Sequence, residues 1–275
     1  MRGLKMVLLL AMPLLGQEQI PVPEVPLPTV DSVLRGLESK MAAAGPLMDR
    51  YGYIERTTQH LLDEKGKVTE TETKEYEVTP VKGTTIRRLL KVNGEPLSEK
   101  AAKKEDARVM KEAEKADQAD TPGVHQVGLR NLLKFLEITS LRRGLFRNVQ
   151  ALILDFKPRK DVKTQGKGEE FASKLGGTLY LDEGSLEAIH LDARLTGSIR
   201  VGWGLASISE GASFSQDFQR VNGEVTLPTQ MSARVEARVL FGHARVAVAT
   251  EWSAFQKFDV EASQVTDVQV LAKSR

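Results

Sequence analysis

Apolar residues recur along this chain at two spacings, and the change from one to the other divides it. From residue 30, Val30, Val33, Leu34, Leu37, Met41, Ala44 and Met48 follow three- and four-residue steps, which puts one apolar stripe on a helix. Thr29 or Asp31 can cap it, and Gly45-Pro46 is expected to interrupt or kink its end. From Tyr51 the period becomes two. "YGYIERTTQHLLD", the turn "EKGK" and "VTETETKEYEVTPV" read as a long hairpin, residues 51–79, polar on both faces near its tip. A hairpin with so little to bury projects from a sheet or forms its edge. "TTIRRLLKV" predicts a third strand.

Residues 97–120 then turn abruptly to Ala, Lys and Glu, with Ser98 as a cap. A helix polar nearly all round is a solvated excursion or an interaction surface. The reverse pattern holds at 127–139, where Leu129, Leu132, Leu133 and Leu136, widened by Phe135 and Ile138, predict a core helix. Beyond it nearly everything alternates. Leu152, Leu154 and Phe156 share a face, as do Ile189, Leu191, Ala193 and Leu195, and then Ile199, Val201, Trp203 and Leu205. Met231, Ala233, Val235, Ala237, Val239 and Phe241 form another row, and Val246, Val248 and Trp252 the last. A short helix is expected at 169–175. One dry and one wet face over strands this long, joined by short turns, predict an antiparallel meander. The fold class expected is mainly β with helices (α+β). It is a large curved antiparallel sheet or open β-barrel of about ten strands wrapped around amphipathic helices.

The first residues place this domain outside the cytoplasm. Arg2 and Lys5 precede the uncharged run Met6 to Leu15, and Gly16 offers a small residue before "QEQ". That is the layout of a cleaved signal peptide, residues 1–16, too short to span a bilayer. Residues 17–29, "QEQIPVPEVPLPT", form a Pro-rich tether, either a spacer or a PxxP-type ligand. The domain itself then covers 30–258, with the charged helix as an insertion, and 259–275 is a C-terminal tail. Losing Arg2 and Lys5 takes the 39 basic residues to 37, against 37 acidic ones, so global charge gives no case for nucleic acid. With no cysteine there is no disulfide, no thiol catalysis and no acylation site of the bacterial lipoprotein kind.

No catalytic signature is present: neither GxSxG nor SxxK occurs, and no transmembrane segment is expected in the mature chain. His60, His125, His190 and His243 form no HExxH or HxH, so no metal is expected, and His60 and His190 read as surface or edge residues. No cofactor is implied. Two features carry binding chemistry. The inward rows either close a dry core or leave a ligand-sized space, whose lining would include Leu132, Phe135, Leu136, Trp203, Val235, Phe241, Val248 and Trp252. The stretch from 142 to 167 is locally basic. Arg142, Arg143, Lys157, Arg159, Lys160 and Lys163 form either a rim for an anionic partner or a solvated loop.

The tetrapeptide Val-Asn-Gly-Glu occurs twice, at Val92–Glu95 and Val221–Glu224, and Asn-Gly suits a type I′ hairpin turn. After the first copy Pro96 is expected to end strand pairing. The second continues as "VNGEVTLPTQM". With the signal, the N-terminal amphipathic helix, the strand meander and the apolar mid-chain helix, it resembles the outer-membrane lipoprotein-sorting (Lol carrier-like) superfamily. That resemblance implies an open β-barrel sheltering an acyl chain or other hydrophobic ligand without catalysis. The expected function is a secreted, non-enzymatic protein, periplasmic in a bacterium with an outer membrane, that binds a lipid or lipoprotein acyl chain. The alternative is a cell-envelope module that docks an envelope protein partner through the polar hairpin 51–79 and the charged helix 98–118.

Overall fold

The computed structural model describes residues 26–81, 84–118, 133–160, 162–201, 206–239 and 242–258. The expected signal peptide, most of the tether and the tail lie outside them. Helix α1 (Val30–Met48) leads into β1 (Tyr51–Leu62), β2 (Val68–Val81), β3 (Thr84–Val92) and the short β4 (Glu95–Pro96). Helix α2 (Glu99–Gln118) follows, then β5 (Leu136–Phe146), β6 (Val149–Pro158) and the short α3 (Lys167–Ala172). The remainder is β7 (Leu175–Asp182), β8 (Ala188–Leu195), β9 (Ile199–Val201), β10 (Ala206–Ile208), β11 (Ser213–Val221), β12 (Val225–Val239) and β13 (Gly242–Lys257).

All thirteen strands join one open sheet in the order β4-β3-β2-β1-β13-β12-β11-β8-β7-β6-β5, with β9 and β10 attached to the end of β12. Every pairing is antiparallel. Ten strands have eight residues or more, and the other three have two or three.

The two long helices lie on opposite sides of this sheet. Thr29 caps α1 by accepting the Ser32 N–H (3.2 Å), and the helix runs on through Pro46 to Met48 rather than stopping. Its Val33 and Leu37 are buried against Leu152, Leu154, Leu179 and Leu181 of β6 and β7. Its last turn packs Ala44, Leu47 and Met48 on Tyr51, Val225 and Leu227. We call this the inner face. The strand alternation puts Asp155, Asp192, Ser215, Arg234 and His60 on the outer face.

Helix α2 is not the solvated excursion that its composition suggests. It buries Val109 and Ala113 against Val81 and Ile86 and lies along the free edge of β3. The Leu89 N–H donates to Glu105 Oε1 (2.8 Å), and Arg108 donates to the Arg87 carbonyl. Edge groups that would otherwise invite another strand are thereby occupied by side chains.

The core helix expected at 127–139 requires correction. Residues 127–132 lie outside the described residues, 133–135 form a turn, and 136–139 begin β5. Leu136 and Ile138 share the inner face, and a bulge between Ile138 and Ser140 turns Leu141 toward the core as well. Closely spaced apolar residues fit either period; the β6 partner decides between them. Both Val-Asn-Gly-Glu copies are hairpin turns with Asn and Gly at positive φ (52° and 85°, then 50° and 71°). After the first, pairing continues through Pro96, which stands opposite Lys91 on the sheet edge. The second does more than turn. Asn222 Nδ2 donates to the Tyr51 hydroxyl (3.1 Å), and that hydroxyl donates to Glu224, fastening the β11–β12 turn to the start of β1.

Candidate functional site

Seven strands contribute to one groove on the outer face, from β6 across β7, β8, β11, β12 and β13 to His60 of β1. Its volume is about 910 Å³, within the range of small-molecule sites. The groove exists because its floor is built from small residues: Gly176, Gly177, Thr178, Ser213, Ser215, Ser232, Ala247 and Ala249. Gly177 is required there. A Cβ on it would lie 2.0 Å from the Asp192 carbonyl oxygen and 2.8 Å from Ala193 Cα, so β7 and β8 approach more closely than any side chain permits.

The carboxylates around the groove are already engaged. Asp155 accepts from Arg142, from Ser140 Oγ (2.6 Å) and from Thr178 Oγ1 (2.8 Å). These bonds, the one from Arg142 foremost, lower its pKa to about 2. Asp192 Oδ2 lies 3.1 Å from His190 Nε2. Two arginines of the lining differ. Arg194 and Arg234 make no hydrogen bond or ion pair among the described residues, and both stand directly opposite Ser213.

His190 is the most enclosed titratable group beside the groove, 5% exposed, and not the surface residue that its mid-strand position suggests. It stacks on Phe146 at 4.7 Å and meets the Tyr180 ring edge-on at 5.4 Å. Nδ1 is 2.5 Å from Asp217 Oδ1, while Nε2 faces Asp192 and, at 3.4 Å, Ser215 Oγ. Burial opposes ionisation of Asp217, but hydrogen bonds from His190 and Arg147 outweigh it and hold its carboxyl below the ordinary value. Serine, histidine and aspartate thus stand in line. Nε2, however, lies nearer to the Asp192 carboxylate (3.1 Å) than to Ser215 Oγ, so the ring is held between two aspartates. Among the described residues no group of three or more His, Asp or Glu is placed to hold a metal ion.

The inner face, among the described residues, carries a small void. Leu34, Leu133, Leu136, Ile138, Leu154, Phe156, Leu175, Leu179, Leu191 and Ala193 enclose a void of about 30 Å³, wholly apolar and roughly one-tenth of the smallest usual ligand pocket. Of the residues expected to line a ligand chamber, Leu132, Trp203 and Phe241 lie outside the described side chains. Phe135 and Leu136 are buried, Leu136 bordering this void, and Val235 packs half-buried against the same core. Val248 of β13, directly opposite Ala233, is part of the groove lining, and Trp252 Nε1 donates to Glu55 (3.3 Å).

The expected basic rim is largely neutralised in place. Arg142 pairs with Asp155, Arg143 with Glu183 (2.6 Å) and Lys157 with Glu137 (3.3 Å), while Arg159 Nε donates to the Leu136 carbonyl (2.7 Å). Lys160 and Lys163 are exposed. Among the described strands, the basic side chains without a partner are instead Arg194 of β8, Arg200 of β9, and Arg234 and Arg238 of β12.

No helix among the described residues is long and apolar enough to cross a membrane. Comparison with known proteins adds little to this geometry. No family model matches the chain, and no curated protein sequence matches it. Among solved structures, a DUF1329 family protein from Desulfovibrio piger ATCC 29098 is similar over 84% of this chain and 99% of its own, at 12% identity and a TM-score of 0.33. MucB appears twice, each time with MucA. The Pseudomonas aeruginosa MucA/MucB complex matches over 83% of this chain and 100% of the other, at 12% identity and a TM-score of 0.24. MucB with MucA(peri) matches over 84% and 100%, again at 12% identity, with a TM-score of 0.21. At these values the likenesses carry no functional argument, and the site is judged on its own chemistry.

Proposed function

We propose that this chain is a secreted, non-catalytic binding protein of the cell envelope, periplasmic in a bacterium with an outer membrane, that holds a polar ligand in its outer-face groove. The observation that carries this reading is the groove itself: about 910 Å³, floored by small residues that seven strands supply in register. Filling a cleft with glycine, serine and alanine leaves backbone and hydroxyl groups open to a ligand at little entropic cost. Native mass spectrometry of the mature protein, isolated from cells expressing the full chain, provides the test. A retained adduct that disappears in Ser232→Trp, with the circular dichroism unchanged, is the expected result. Retention undiminished in that variant, or no adduct in the parent, overturns the reading.

One observation favours a second reading, a hydrophobic ligand on the inner face. The void under Leu34 is enclosed by ten apolar residues, so an acyl chain that lifted α1 would meet no polar group. Uptake of a fluorescent fatty acid checks this, and failure to bind it at any concentration below its micelle point removes the reading. For the docking alternative, α2 seats Val109 and Ala113 on β3 and keeps an exposed charged face that includes Lys103, Lys104 and Lys111. The exposed tip of the β1–β2 hairpin is open to that reading as well.

A further inference from the structure

We propose that the outer face binds an organic phosphate or sulfate ester on two Arg–Ser–Arg rungs. This rests on the groove reading given above and names the chemistry of its ligand. The first rung is Arg194–Ser213–Arg234, three residues directly opposite one another on β8, β11 and β12. The second is Arg200–Ser207–Arg238, likewise in register on β9, β10 and β12, in an adjoining pocket of about 610 Å³. Adjacent strands are about 4.8 Å apart, so each rung holds its two arginine Cα atoms about 10 Å apart with a serine hydroxyl between them. Arginine side chains are long enough to reach a ligand seated above the serine from both sides.

Three facts make this an anion site rather than a solvated face. First, all four arginines are exposed, and among the described residues none makes a hydrogen bond or an ion pair. Second, the acids that line the two pockets, and Glu236 between the rungs, are engaged by other groups. Asp155 is held by Arg142, Asp192 faces His190, Glu236 takes Arg245 and His243, and Glu170 takes Lys174. The surface therefore keeps a surplus of positive charge although the sheet as a whole is rich in ion pairs. Third, unpaired like charges gathered on one face repel, and a bound anion relieves that cost.

The number of acceptors selects the ligand. Each rung offers two guanidinium forks and one hydroxyl, whereas a carboxylate has two coplanar oxygens that one fork already satisfies. A tetrahedral phosphate or sulfate ester has three peripheral oxygens and can take all three donors. Nucleic acid is disfavoured, because among the described residues of the lining Phe156 and Phe214 belong to inner-face rows, which leaves His60 as the one outer-face ring on which a base could stack. Arg234 and Arg238 are four residues apart on β12, about 14 Å along the strand, so one ligand with two ester groups at that spacing bridges both rungs.

Titration calorimetry of the mature chain with inorganic pyrophosphate in low salt tests the assignment, beside flotation on vesicles of phosphatidylcholine with or without phosphatidic acid. Binding to either probe is expected, at least tenfold weaker in Arg234→Ala and in Arg194→Ala, and lost in Arg234→Ala/Arg238→Ala. Arg234→Lys, which keeps charge but not the fork, is expected to fall between. Pyrophosphate binding identifies a free phosphate as a sufficient ligand, and binding confined to phosphatidic acid vesicles identifies a lipid headgroup. Failure of the parent protein to bind either probe, or equal binding by the double alanine variant, overturns the proposal. If the adduct lost in Ser232→Trp survives in the double alanine variant, the groove reading stands and only the anion assignment falls.

Discussion

Replacing Glu105 with alanine probes the edge of the sheet at its most specific contact. Glu105 accepts the Leu89 N–H at 2.8 Å and pairs with Arg108, which in turn donates to the Arg87 carbonyl. Its side chain is 14% exposed, and the Arg108 bond, burial notwithstanding, lowers its pKa, so an ionised acceptor faces the strand. A hydrogen bond to a charged group contributes about 1.5–3 kcal/mol. Leu89 is only half-buried, so water recovers part of that, and about 1.4 kcal/mol of local stability is expected to go. In hydrogen exchange this is about a tenfold faster rate at the Leu89 amide, with amides of the distant β11 strand unchanged. Glu105→Gln keeps an uncharged acceptor and should lose about threefold. A uniform change across the sheet, or none at Leu89, would refute the edge assignment. Val109→Asp extends the test: by undocking α2 it should expose β3 and produce concentration-dependent association in analytical ultracentrifugation.

Other outcomes follow from the core and from titration. Leu154, 0% exposed beneath α1, should cost about 2–5 kcal/mol when cut to alanine, read from urea unfolding. Gly177→Val should lower the melting temperature by several degrees or prevent folding, because its Cβ has no space against β8, whereas Gly45→Ala, inside α1 with nothing within 4 Å of its Cβ, should cost far less. Asp155, with its folded pKa lowered to about 2, stabilises the protein fully above its ordinary value of 3.8, and that contribution is lost as pH falls toward 2. Asp155→Asn should therefore be less stable at neutral pH and show a flatter acid limb between these values in thermal melts. Tyr51→Phe removes the hydroxyl that Asn222 and Glu224 hold, and about 1 kcal/mol of stability should go with it.

Most of the sheet was legible because period-two alternation is a local signal. "TTIRRLLKV" became β3 without adjustment, and both Asn-Gly turns formed hairpins. The 136–139 segment was misread because its leucines satisfy the helical spacing while β6, lying beyond the next turn, provides the pairing that fixes it. Charge was the least readable property. Arg142, Arg143 and Lys157 sit in a basic run, yet each meets a carboxylate 13 to 40 residues away or across a strand. In "SARVEARV" the arginines alternate with apolar residues around Glu236 and appear balanced. Only the register shows that Glu236 is taken by Arg245 and His243, and that Arg234 and Arg238 are left over. His190 was overlooked for the same reason, since its two aspartates come from its own strand and from β11.

The position of β13 bears on how the chain can reach this state. Among the described residues the last strand in sequence lies between the first, β1, and β12, pairing Tyr51 with Lys257 at one end and Leu62 with Arg245 at the other. Until residues beyond 242 have left the ribosome, β1–β4 and β5–β12 have no strand to join them, and each presents a long unsatisfied edge. Contacts of such wide separation form late and slowly. Truncation before β13 should leave two sticky half-sheets rather than a smaller domain. The two halves therefore become one body only when β13 inserts between them.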